Sequence, residues 1–217
     1  MAHVFIVGAT GGVGTRLIPM LTEAGHDITG LHRKPEQADD LRGKGVTPVL
    51  GDIIEMSPDD LAAAMTGADT IIFSAGAAGS GKERATAIDG DGPIKLIEAA
   101  QQVGIQRLLV VSVFPEAGRT ADLGEGFEHY MAQKKRAEVA VAQSGLDWVL
   151  LRPGTLTDED HSGEVSLNRV SAYGDVSRQN VAAVLAHLVD RPDVAKETLE
   201  LTDGATKIEV ALAALRR

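Results

Sequence analysis

The chain has 217 residues, 44% hydrophobic and only 3% aromatic, with a formal net charge of −10 and no cysteine. That length can bury a substantial core, and the core falls to Val, Leu, Ile and Ala, the usual residues of parallel strands covered by helices on both faces. The negative charge argues against nucleic acid or an anionic membrane as partner, and the lack of cysteine removes disulfides, thiolate nucleophiles and zinc ribbons.

Six short apolar runs, each bounded by Gly, Pro or Asp, predict strands at 3–8, 27–33, 47–52, 69–76, 107–113 and 147–154. The first run breaks at Gly8 and no basic residues precede it, so no secretory signal is expected. No apolar stretch reaches the roughly 18 residues that a membrane span requires. A cytoplasmic protein acting on a small-molecule substrate, as a monomer or homodimer, is the expectation. After the first strand, Val13, Leu17, Ile18, Leu21 and Ala24 keep a helical period, with Pro19 an awkward member expected to kink or tighten it. Gly25 and Gly104 follow helical segments as stops, and Ile94, Leu96, Ile97, Ala100 and Val103 mark another helix. Ser57 is placed as an N-cap before Pro58 and an acidic first turn, with Gly67 as the stop. The loosest stretches, 77–92 and 115–126, follow strand ends, where ligand loops belong. Strand and helix alternating in this way predict an α/β fold with a parallel sheet covered on both faces.

Gly8, Gly11 and Gly14 form G-x-x-G-x-x-G at the junction of the first strand and helix. One glycine permits a sharp exit from the strand. The next lets backbone N–H groups approach phosphate oxygens, and the last lets the helix pack closely on the sheet. The helix N-terminus then offers unpaired N–H groups and partial positive charge to a pyrophosphate. The competing reading is a turn needed only for packing. At the end of the second strand, where an acid would hold the ribose of NAD, the sequence reads GLHRKPE. Arg33 and Lys34 suit a 2′-phosphate, which favours NADP(H) over NAD(H), unless they are simply two solvated basic residues.

Tyr130 and Lys134 stand four apart, so one helical face presents both. Alone, that spacing also fits a helix that only packs and solvates. The six histidines are scattered singly, so no metal site is expected. The acidic run at 157–164 reads as a solvated loop, and no G-x-S-x-G elbow is present.

GATGGVG, LHRKPEQ, GD at 51–52, FSAG at 73–76, VVS at 110–112, YMAQK at 130–134 and LDWVLLRPG at 146–154 together resemble the atypical short-chain dehydrogenase/reductases. The resemblance is to the NAD(P)-binding, epimerase/dehydratase-like branch, which includes biliverdin-reductase-B-like and flavin-reductase-like proteins. It implies a Rossmann-like doubly wound parallel sheet with a small C-terminal substrate-side extension. One NAD(P)-binding domain would cover 1–217, with 155–217 a reduced cap and the last sheet elements. By that resemblance Gly8, Thr10, Gly11, Gly12, Val13 and Gly14 line the pyrophosphate, Arg33 faces the 2′-phosphate, and Asp52 and Ile53 border the adenine. Ser74, Ala75 and Gly76 lie along the nicotinamide side, with Pro153 and Gly154 as a wall. Tyr130 would be the acid/base, and Lys134 would bind the ribose and lower the phenol's pKa toward neutrality. The family's catalytic hydroxyl usually stands one to three residues beyond a strand-end Ser, where this chain has Val113, Phe114 and Pro115. Ser112 is thus either that hydroxyl or only the end of the strand. An NADP-dependent oxidoreductase that passes hydride to a small carbonyl, quinone or flavin-like acceptor follows. A non-catalytic NADP(H) sensor or scaffold is the alternative. A nucleotide-sugar epimerase ranks below both, since only 63 residues follow Gly154.

Overall fold

The computed structural model describes residues 1–115, 117–118, 121–159 and 162–215. Among them, nine strands form one sheet. Its spatial order is Val46–Leu50 (β3), Asp27–His32 (β2), His3–Val7 (β1), Thr70–Phe73 (β4), Arg107–Val111 (β5), Asp147–Pro153 (β6), Glu197–Asp203 (β10), Glu164–Asn168 (β8) and Thr206–Lys207 (β11). From β3 to β10 every pairing is parallel, while β8 runs antiparallel to both β10 and β11. Thr155–Thr157 (β7) and Asp175–Ser177 (β9) form a separate parallel pair. The six predicted strands are β1 to β6, each within a few residues of its expected bounds.

The helices are Gly14–Glu23 (α1), Ala38–Gly43 (α2), Pro58–Ala64 (α3), Lys82–Arg84 (α4), Gly92–Val103 (α5), Gly124–Gln143 (α6), Arg178–Val189 (α7) and Ile208–Ala214 (α8). None among the described residues is long and apolar enough to cross a membrane. Alternation along β1 divides the core. Val4 and Ile6 join Leu17, Ile18 and Leu21 of α1 and Val181, Leu185 and Leu188 of α7 on one face. Phe5 and Val7 join Leu61 of α3, Leu96 of α5 and Val141 of α6 on the other. Fully burying a side chain of this size stabilises the fold by about 1.5–3 kcal/mol.

Local chemistry sets several boundaries. Ser57 caps α3 as expected: its Oγ accepts from the Asp60 amide at 3.2 Å, while the Asp60 carboxylate accepts from the Ser57 amide at 2.9 Å. Pro19 lies on the exposed side of α1, and the helix continues past it to Glu23. The stretch expected to be loosest, 77–92, is instead helical from Lys82, running through α4 and a π-helical segment, Ala85–Asp91, into α5. Its glycines serve close packing. A β-carbon on Gly90 would meet Gln133 at 2.6 Å, and one on Gly92 would meet the Phe73 ring at 3.1 Å. In the second loose stretch, Glu116, Arg119 and Thr120 lie outside the described residues, as do Asp160 and His161 of the acidic run. Most of the chain beyond Gly154 returns to the sheet as β8, β10 and β11 with α7 and α8, leaving β7 and β9 beside the cleft described next.

Candidate active site

The connections change direction between β1 and β4, so β2 and β3 lie to one side and β4, β5 and β6 to the other. Chains leaving the carboxyl ends of β1 and β4 part there and leave a crevice. A cleft of about 1020 Å³ opens at this point, at the upper end of the range of roughly 300–1,000 Å³ for small-molecule sites. Its floor is the glycine turn. Gly8 has φ +101°, and a β-carbon on it would fall 2.7 Å from the Ala75 nitrogen. A β-carbon on Gly14 would strike the Gly8 carbonyl oxygen, so this residue packs beneath the turn instead of lining the cleft. Gly11 is exposed, and within 4 Å its β-carbon would meet only the Gly8 carbonyl oxygen, at 3.2 Å. No side chain caps the start of α1 at Val13; the Gly11, Thr15 and Arg16 amides donate to the Gly8, Gly11 and Val13 carbonyls, which leaves the Gly12 and Val13 amides and the positive dipole end for an anion. Thr10, Gly11, Gly12 and Val13 complete this floor. A bare backbone cradle ahead of an uncapped helix fits a dinucleotide's pyrophosphate.

Arg33 and Lys34, both exposed, line one end of the cleft together with Asp52 and Ile53. Neither cation holds an ion pair among the described residues, and no acid closes β2. The backbone beneath them is fixed. The Lys34 amide donates to Gln37 Oε1 at 3.1 Å, and buried His32 places Nδ1 3.0 Å from the Lys34 carbonyl. Lys95 of α5 donates to the carbonyls of Ile53, Ile54 and Met56 at 3.2, 2.7 and 3.0 Å, and Asp52 accepts from the Ile54 amide at 3.0 Å. This end can hold an adenosine with a 2′-phosphate.

At the other end Ser74, Ala75 and Gly76 line the wall after β4, facing Ser112 at the end of β5 and Tyr130 and Lys134 on α6. The Ser112 amide donates to the Leu151 carbonyl at 2.7 Å, while its Oγ is buried without a hydrogen-bond partner. Lys134 is 5% exposed; its Nζ donates to the Val111 carbonyl at 3.2 Å and pairs with Asp89 Oδ1 at 3.1 Å, off the hydrogen-bonding direction. Asp89, in the π-helical segment, is fully buried, and its second oxygen accepts from the Ala77 amide at 3.1 Å. The Lys134 ammonium lies 5.8 Å from the centre of the Tyr130 ring.

The Tyr130 phenol is not drawn toward neutrality: burial pushes its pKa above the ordinary value, outweighing the downward pull of Lys134, and Asp89 adds to the rise. Its ring packs with Phe127 and Met131, and the lysine charge is already compensated by Asp89. Pro153 and Gly154 do not line the cleft. Gly154 backs onto the Gly174 backbone and donates to the Leu201 carbonyl at 2.9 Å, and Leu156 supplies the wall instead. Asp89, Phe127 and Arg178, which sequence reasoning missed, all line the cleft. Asp89 sits among glycines that mimic a loop, and nothing in the sequence pairs it with Lys134, 45 positions away.

The family model described as NAD(P)H-binding matches residues 8–192, from the glycine turn through α7. The chain belongs to this NAD(P)H-binding family. It is an atypical short-chain dehydrogenase/reductase, in keeping with the motifs above. It is 36% identical to a protein named uncharacterized sugar epimerase YhfK of Bacillus subtilis, over 96% of this chain and 98% of that one. Among solved structures, a putative NAD-dependent epimerase/dehydratase from Bacillus halodurans superposes with a TM-score of 0.87 at 30% identity, over 98% of this chain and 100% of that one. ChuY, an anaerobillin reductase from Escherichia coli O157:H7, superposes with a TM-score of 0.78 at 26% identity, over 94% and 98% of the two chains. As a member of the NAD(P)H-binding family, the chain presents its matched region around the cleft just described.

Proposed function

We propose that the protein is an NADP-dependent oxidoreductase that reduces a small carbonyl, quinone or flavin-like acceptor. The observation that carries this reading is the Ser112 hydroxyl, buried in the cleft wall without a partner and sharing that cleft with Tyr130 and Lys134. A buried hydroxyl left unsatisfied costs about 1–3 kcal/mol, and an acceptor oxygen would satisfy it. A bound nicotinamide dinucleotide supplies the hydride. Ser112 donates a hydrogen bond to the acceptor oxygen and polarises it. Tyr130, kept neutral by burial, donates the proton that balances the added hydride. Lys134, anchored by Asp89 and the Val111 carbonyl, holds the ribose side and favours the phenolate left behind. Arg33 and Lys34 grip the 2′-phosphate, where a carboxylate would repel it. The return of the C-terminal segment to the sheet leaves little chain to enclose a sugar nucleotide, which favours a small acceptor over the epimerase suggested by the Bacillus subtilis relative's name.

The test is turnover of NADPH with a panel of flavins, quinones and small aldehydes, wild type beside Tyr130→Phe. Reduction lowered by roughly 100-fold or more in the variant supports the assigned proton donor. Binding of NADPH without turnover on any acceptor rejects the enzyme and leaves a cofactor-binding sensor.

A further inference from the structure

A second cation stands on the open side of the glycine turn. Arg178, the first residue of α7, lines the cleft, and its side chain lies across Gly12: a β-carbon there would fall 2.8 Å from Arg178 Cδ and 3.1 Å from Nε. Arg178 Nη1 holds Asp158 Oδ1 at 3.0 Å, and Arg16 Nη2 of α1 holds the same oxygen at 3.1 Å. Arg16 also donates to the Gly12 carbonyl at 2.7 Å. Two guanidinium groups thus converge on one carboxylate beside the turn, and their combined charge remains positive.

The placement is fixed from below. α7 packs against α1 through the shared core. Its start is capped by Ser177, whose Oγ accepts from the Asn180 amide at 3.0 Å, and the Ser177 amide donates to Asp203. The Asp158 contact occupies only Nη1, and a guanidinium presents five N–H donors in a fixed fork. Arg178 Cδ and Nε are the atoms that lie over Gly12. Asp158 is 68% exposed at its side chain, so a pair of this kind contributes little stability. Orientation of Arg178 is the function left for it.

We propose that Arg178 is a phosphate clamp: it closes on the dinucleotide's pyrophosphate from the side opposite the α1 N-terminus, with Asp158 as the positioning residue that aims its Nε edge across Gly12. This rests on the reading of the cleft as a nicotinamide dinucleotide site. It further explains why Gly12 carries no side chain, since a methyl group there would displace Arg178.

Calorimetric titration of wild type, Arg178→Met and Arg178→Lys with NADPH, NADH and ADP tests it. Because the pyrophosphate is common to all three, Arg178→Met should weaken each to a similar extent, by about tenfold or more, as expected for loss of a charge-assisted contact. It should also flatten the dependence of affinity on salt. Arg178→Lys, which keeps the charge without the fork, should recover part of the loss. Unchanged affinity for all three ligands in Arg178→Met overturns the clamp, and so does a loss confined to NADPH, which would place Arg178 at the 2′-phosphate. Absence of dinucleotide binding by the wild type would overturn the reading of the cleft itself, a result distinct from either. A thermal melt of each variant matching wild type excludes misfolding, and Arg178 is partly exposed, so truncation leaves no buried hole.

Discussion

Replacing Asp89 by Asn probes the buried pair at the base of the site. The carboxylate is fully buried and the Lys134 side chain is 7% exposed, with 3.1 Å between their charged atoms. Asparagine keeps the shape and can still accept from the Ala77 amide, but it strands the ammonium. Removing one member of a buried ion pair costs about 3–5 kcal/mol, because the remaining charge is left uncompensated. For a chain of this length each kcal/mol lowers the unfolding midpoint by roughly 2–4 °C, so the midpoint should fall by about 6–20 °C. Lys134→Met should destabilise by a similar amount, since it strands Asp89. The double variant Asp89→Asn/Lys134→Met should lose far less than the sum, because no buried charge remains. Thermal unfolding of the four proteins, followed by circular dichroism at one pH and salt concentration, gives the coupling energy. Single variants that each lose less than about 1 kcal/mol, or a double variant equal to their sum, would refute the reasoning.

Two further outcomes follow from the same geometry. Because burial holds the Tyr130 phenol above its ordinary value, the proton-donating form persists at every lower pH, so reduction should stay level from about pH 6 to 9 and decline only above about 10; a falling limb between pH 7 and 8 would show instead a phenol drawn toward neutrality. Arg33→Ala should weaken NADPH binding by roughly 10- to 100-fold while leaving NADH within about twofold, the difference expected for one forked guanidinium–phosphate contact; equal losses for both would remove Arg33 from the 2′-phosphate.

The sheet was legible because its strands are buried on both faces and therefore written as unbroken apolar runs, as in IIF of β4 and LLVV of β5. The glycine turn was legible because Gly8 and Gly14 answer to local constraints, a positive φ and a helix pressed on a carbonyl, that sequence spacing records. The stretch at 77–92 was not, because Gly90 and Gly92 answer to contacts with α6 and Phe73, far away in sequence. Asp89 stayed hidden for the same reason: its partner lies on another helix. The phenol's pKa was misjudged because spacing reports that Lys134 is near Tyr130, but it does not report the burial of the ring or the carboxylate already facing the lysine. Pro153 and Gly154 end β6 as expected, yet the contact of Gly154 with Gly174 turns them away from the cleft.

Exposed main chain at Gly11 should receive the dinucleotide's pyrophosphate, and Gly11→Val tests this most directly. The β-carbon of the new side chain would meet only the Gly8 carbonyl oxygen within 4 Å, at 3.2 Å, and Gly11 is exposed, so the fold should survive with the valine filling the anion's place. In calorimetric titrations at matched salt, the variant should melt within a few degrees of wild type yet bind NADPH and NADH at least about 100-fold more weakly. A folded Gly11→Val protein with wild-type affinity for either dinucleotide would contradict the account.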